Sequence, residues 1–197
     1  MVTDYRAFGM TVIGASHIKS GTVCQDFSLS CELPDRRISV VCDGHGGADY
    51  FRSDRGSRFA AEAFTECMKD PDVISVLSAA ATQKQQSVRI EQLIKSIIAR
   101  WNELVERDIK EHSFGEDELS GVSEKARKRY ETGQRLQSAY GTTLIGVILT
   151  ENFWLGLQIG DGKCVAVSKD GEFTQPIPWD EQCFLNVTTS ICDENAA

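Results

Sequence analysis

The chain has 197 residues, 41% hydrophobic and 25% charged, which predicts one globular domain over residues 1–197 with enough apolar material for a single core. Acidic residues outnumber basic ones by 29 to 21, and a net charge of −8 argues against a general nucleic-acid or anionic-membrane binder, because the long-range field repels a polyanion. No apolar run approaches the roughly 20 residues that span a bilayer, and residues 1–6 lack the charged and apolar pattern of a leader, so the expectation is a soluble, cytoplasmic protein.

In chain order, residues 8–15 are apolar and rich in strand formers, and a second short run resumes over 27–31. Residues 36–42 alternate Ile38, Val40 and Cys42 against Ser39 and Val41, the period of a strand. The run stops at Asp43-Gly44-His45-Gly46-Gly47, and a helix is predicted from about 48 to 68. Asp70-Pro71 reads as an N-cap with proline at the first helical position, opening a shorter helix through Val73, Ile74, Leu77 and Ala81. Ile90, Leu93, Ile94, Ile97, Ile98, Trp101, Leu104 and Val105 recur at spacings of three and four, which predicts a long amphipathic helix with one buried face. Residues 111–135 are polar and read as a solvated connection with a short helix.

Beyond Tyr140 the period changes from 3.6 to 2, predicting strands over 143–149, 153–159 and 164–168. Their connections are too short for a crossover helix, so antiparallel hairpins are expected, and the whole reads as an α+β layered domain. Seven cysteines are scattered through apolar stretches, and reduced thiols account for them most simply. A zinc site from Cys24, Cys31, Cys42 and His45 is the alternative, but only Cys42 and His45 have a close ligand spacing.

Asp-Gly occurs at 43–44, 161–162 and 170–171. The pair at 170–171 stands alone and reads as a turn. At 43–44 a carboxylate, flexible backbone and an imidazole follow a buried strand directly, which suits a hard cation such as Mg²⁺ or Mn²⁺. A dinucleotide fingerprint starting at Gly44 fails at Asp49, and no Walker A sequence is present.

Taken together, Gly14-Ala15-Ser16-His17, Cys24-Gln25-Asp26, Val41-Cys42-Asp43-Gly44-His45-Gly46-Gly47, Tyr140-Gly141-Thr142-Thr143 and Ile159-Gly160-Asp161-Gly162 resemble, in order, the metal-dependent serine/threonine phosphatases of the PPM or protein phosphatase 2C family, in its bacterial branch. The resemblance implies a four-layer αββα sandwich of two antiparallel sheets flanked by helices. It implies two Mg²⁺ or Mn²⁺ ions, with Asp43 bridging them, the carbonyl of Gly44 completing one coordination sphere, Asp26 holding metal-bound waters and Asp161 contributing to a weaker third site. It further implies hydrolysis of phosphoserine and phosphothreonine in proteins by a metal-activated water, with His45 protonating the departing oxygen and the substrates being targets of a serine/threonine kinase.

Three departures accompany it. Gly21 occupies the position of the family's phosphate-gripping arginine, for which Lys19 is the nearest substitute. Gln25 replaces a common glutamate. Asp170, Asp180 and Asp193 match neither of the family's two later metal-ligand motifs. The expectation is therefore a phosphatase domain lacking its carboxy-terminal part and weak or inactive as it stands. The rival reading is a non-catalytic pseudophosphatase that binds or regulates a phosphoprotein. Sequence leaves the oligomeric state and the choice between Mg²⁺ and Mn²⁺ open.

Overall fold

A computed structural model of the chain describes residues 2–79, 82–185 and 187–196. Strands β1 (Asp26–Leu33), β2 (Arg36–Asp43), β3 (Leu144–Thr150) and β4 (Trp154–Ile159) form one antiparallel sheet in that order. Because side chains alternate across a strand, Ile38, Val40 and Cys42 of β2 point to one face together with Leu144 and Ile148 of β3, and all five are buried. The opposite face of β2 carries Ser39 and Val41, and Val41 is 49% exposed.

Helix α2 (Ser53–Lys69) crosses β1, β2 and β3 on the buried face. Its inward residues include Gly56, Ser57, Ala60, Ala61 and Ala63, small enough to bring helix and sheet close, with Phe64 and Met68 filling the remaining space. Asp70 caps α3 (Pro71–Ser78) by accepting from the Asp72 N–H at 2.8 Å, as the Asp-Pro pair predicts; the expected extension to Ala81 lies outside the described residues. The long helix α4 (Gln83–Glu111) opens with a Thr82–Gln85 capping box and buries Leu93, Ile97, Trp101, Leu104 and Val105. It packs on α2, where the Trp101 indole donates to the Gly56 carbonyl at 3.1 Å.

Four segments differ from the sequence expectation. Residues 8–14 form no strand. They lie beside β1 through side-chain contacts only, with Thr11 Oγ1 2.8 Å from Ser28 Oγ, while residues Ala15–Ser20 form helix α1. Without a ladder, the alternation places Phe8, Met10 and Val12 in solvent at 86%, 80% and 67% exposure. The helix expected from residue 48 begins as a 3-10 turn, Ala48–Tyr50, and α2 starts only at Ser53. The break falls at Arg52, whose N–H donates to the Ala139 carbonyl at 2.9 Å and thereby leaves the helical pattern.

The polar stretch before residue 135 is not merely solvated. It forms α5 (Glu116–Leu119) and α6 (Glu124–Glu131), and Leu119, Ala126 and Tyr130 are buried. Glu118 is drawn inward by Arg52, which donates to both of its carboxylate oxygens at 2.7 and 2.9 Å and also to the Tyr140 hydroxyl at 2.7 Å. Finally, residues 164–168 do not pair with β4. Their ordered core, β5 (Ala166–Val167), pairs with β6 (Phe173–Thr174) across the Asp170-Gly171 turn, so Gly160–Lys163 is an exit loop rather than a hairpin.

The class is therefore α+β, with a four-stranded sheet backed by α2 and α4 and a separate two-stranded ribbon. None of the described helices is long and apolar enough to cross a membrane.

Candidate active site

The site sits where β1 begins and β2 ends. In the antiparallel register Asp26 lies opposite Asp43, and residues directly opposite share a face of the sheet. Their carboxyl groups therefore lie side by side at the edge of the sheet, where each feels the other's charge. Burial, then the charge and hydrogen bond of Asp26, then the charge of Asp161, push the Asp43 carboxyl up to about 6, against a smaller opposing effect of His17. Two carboxylates held this way either share a proton or require a cation.

The backbone of Asp43 is tied down on both sides. Its carbonyl accepts from the Thr143 N–H at 2.9 Å and the Thr142 hydroxyl at 3.0 Å, and its N–H donates to Thr143 Oγ1 at 3.1 Å. Tyr140-Gly141-Thr142-Thr143 is thus a clamp on the strand end, a role that sequence alone did not reveal.

Gly44 follows in the tightest part of the turn. Its N–H donates to the Gln25 carbonyl at 3.2 Å, and a Cβ there would lie 2.6 Å from that oxygen and 2.7 Å from the Ser53 carbonyl, so only glycine fits.

His45 is fixed by its main chain and by one aromatic neighbour. Its N–H donates to the Gly141 carbonyl at 3.0 Å, and its carbonyl accepts from Gln25 Nε2 at 3.1 Å and Ser53 Oγ at 2.8 Å. The ring meets Tyr50 edge-on, with centroids 4.8 Å apart. Burial lowers the imidazole's proton affinity below the ordinary histidine value, while the charges of Asp193 and Asp161 act to raise it.

Asp161 follows Gly160 on the exit loop, and its Oδ1 accepts from the Thr188 hydroxyl at 3.1 Å. Asp26, Asp43 and Asp161 line one cleft of about 390 Å³, together with Thr143, Met10, Val12 and Ile145. The structure therefore gathers Asp26, Asp43 and Asp161 around one space, with Gly44 and His45 on the adjoining turn. It does not bring Lys19 there: Lys19 is exposed on α1 and outside the cleft lining, whereas His17, two residues earlier, is the α1 group whose charge reaches Asp43. Sequence reasoning also passed over Tyr50, Ser53 and the hydroxyl run Thr188-Thr189-Ser190, none of which carries a motif.

The donors of the cleft are carboxylate and carbonyl oxygens, the chemistry of a hard divalent cation rather than a soft one. Among the described residues no three His, Cys, Asp or Glu side chains converge as a ready cation cage. Donor type and the crowded Asp26–Asp43 pair fit Mg²⁺ or Mn²⁺, with Asp26, Asp43 and the Gly44 carbonyl as the groups that would hold it. A family model for protein phosphatase 2C matches residues 13–197. Comparison with curated proteins gives no match.

Proposed function

Since the chain belongs to the protein phosphatase 2C family, we propose that it is a metal-dependent phosphatase acting on phosphoserine and phosphothreonine in proteins, with the Asp26–Asp43 pair as its cation site. The observation that carries this reading is the strand register that sets Asp26 opposite Asp43 in a cleft shared with Asp161, where burial and the repulsion of the neighbouring acids raise the proton affinity of Asp43. A divalent cation held by Asp26, Asp43 and the Gly44 carbonyl would relieve the same repulsion and would supply electrophilic help to the phosphoryl group and a water nucleophile near neutral pH.

The chain's own groups have separate tasks. Thr142 and Thr143 keep the Asp43 main chain from shifting when its side chain takes up charge. Asp26, Asp43 and Asp161 together repel a phosphate dianion, so the cleft admits substrate only when that charge is neutralised. His45, beside the acids and braced by Tyr50, hands a proton to the departing serine or threonine oxygen. Burial favours its neutral form, and Asp161 and Asp193 favour the protonated form that this task requires. The substrate is a phosphoprotein produced by a serine/threonine kinase, met in the cytoplasm.

A second reading, a non-catalytic module that recognises phosphoproteins, draws on the departures from the family pattern, with Gly21 in place of the phosphate-gripping arginine and Gln25 in place of a glutamate. Calorimetric titration separates the two. The phosphatase reading expects Mn²⁺ to bind the wild-type chain and expects Asp43→Asn to abolish that binding while the chain stays folded. A wild-type chain without affinity for Mn²⁺ or Mg²⁺ would favour the binding module.

A further inference from the structure

Strand β2 ends in one acid of the cleft, Asp43, the exit loop after β4 holds another, Asp161, and the two are joined through a third segment far along the chain. Ser190, only 3% exposed, accepts from the Thr142 N–H at 3.1 Å and donates back to the Thr142 carbonyl at 3.1 Å. The Ile191 N–H adds a 3.0 Å bond to the same carbonyl. Thr142 in turn donates its hydroxyl to the Asp43 carbonyl at 3.0 Å. On the other side, Thr189 accepts from the Gly160 N–H at 2.8 Å and donates to Asp180 at 2.6 Å, while Thr188 donates to Asp161 Oδ1 at 3.1 Å.

We propose that Thr188-Thr189-Ser190 is a hydroxyl clasp whose role is to position Asp161 relative to Asp43, making Thr188 and Ser190 positioning residues of the cleft. A hydroxyl is one donor and an acceptor at once, and Ser190 and Thr189 each use both capacities, which neither alanine nor valine can do. Three consecutive hydroxyls therefore reach two loops at the same time. Asp161 stands on an exit loop with no ladder partner of its own, so the Thr188 bond is what fixes its carboxylate. A segment that only covered the core would need the buried side chains of Ile191 and Cys192, not a specific hydroxyl on an exposed carboxylate.

The inference rests on reading Asp43 and Asp161 as working acids of a phosphatase cleft, and its test has one arm that does not involve the metal. Hydrogen exchange on the metal-free chain should show the Thr142 amide exchanging about tenfold faster in Ser190→Ala, the value of one net hydrogen bond, with core amides of β2 unchanged. Thr189→Val should do the same at Gly160. In calorimetry with Mn²⁺ alone, Thr188→Val should weaken binding by roughly three- to tenfold, since a charge-assisted bond to the carboxylate is lost. Thr188→Ser should restore it, and Thr188→Val should add nothing to Asp161→Asn. Unchanged exchange at Thr142 and Gly160, or wild-type Mn²⁺ affinity in Thr188→Val, would overturn the clasp. Absence of Mn²⁺ binding by the wild-type chain with the exchange changes intact would instead overturn the phosphatase reading and leave the hydrogen-bonded ties standing.

Discussion

At the scale of single residues, the decisive pair is Asp26 and Asp43. An Asp43 carboxyl raised from 3.8 to about 6 means that the native chain binds more protons than the unfolded one across that interval. Its stabilising contribution is therefore complete below about pH 4 and is lost as pH rises through about 6. In metal-free buffer at pH 7, Asp43→Asn should consequently raise the melting temperature. Asp43 is an exposed residue by surface area, so solvent screening reduces the gain to about 1 kcal/mol, or about 2–4 °C. The variant should also flatten the melting profile between pH 4 and 6, whereas a variant that melts below wild type at pH 7 would mean that Asp43 is not under repulsion. His45 supports a second expectation. His45→Ala should slow hydrolysis of a phosphothreonine peptide by about 10²–10⁴-fold yet barely change that of an aryl phosphate whose leaving oxygen needs no proton. Equal losses on both would reduce His45 to a loop residue. Asp43 and Asp161 were legible in the sequence because each stands beside glycine, and Asp26 because Cys24-Gln25-Asp26 is one of the ordered runs that carry the family resemblance. His17 and Thr188 were not, because a lone histidine and a threonine run have many uses and only tertiary placement selects one.

At the scale of elements, the sequence carried strands and helices wherever periodicity ran long. β2, β3 and β4 follow from the alternation of Ile38, Val40 and Cys42 and of the residues after Tyr140, and α4 follows from its apolar stripe. It misread segments whose state depends on a partner. Residues 8–14 have strand composition but no ladder, and residues 164–168 pair with Phe173–Thr174 because the exit loop turns away from β4. The polar connection folded inward because one buried cation, Arg52, gathers Glu118 and Tyr140 around it, an arrangement invisible to a count of charges. The contact of α2 with the Leu136–Tyr140 turn is the tightest of these joints and positions the clamp that follows it. A Cβ on Gly56 would stand 1.9 Å from the Tyr140 carbonyl oxygen, so Gly56→Ala forces α2 away from the turn. The expected loss is about 3 kcal/mol, roughly 6–12 °C in thermal melting for a chain of this size. Phosphatase activity should fall further than stability alone explains, because Gly141 and Thr142 move with the turn. An unperturbed melting curve would show that the helix and turn are not packed as described.

For the whole molecule, one helix-backed sheet brings together acids that are far apart in sequence: Asp26 and Asp43 by strand register, and Asp161 by the exit from β4. The α+β class and the family follow from motifs and periodicities that the sequence displays. The cleft wall formed by Met10 and Val12, and the tie from Thr188-Thr189-Ser190, arise from long-range packing and leave no local signal. The central claim is that this acidic cleft is a cation-dependent phosphoryl-transfer site. Its most direct test is the release of inorganic phosphate from a phosphothreonine peptide, measured with and without Mn²⁺ for wild type and Asp43→Asn, with folding of both checked by circular dichroism. The account predicts slow but Mn²⁺-dependent release by wild type and a further loss of at least about 10²-fold in the variant, the scale expected when an electrostatic contribution to phosphoryl transfer is removed. Equal release by the two proteins, or release indifferent to Mn²⁺, would contradict it.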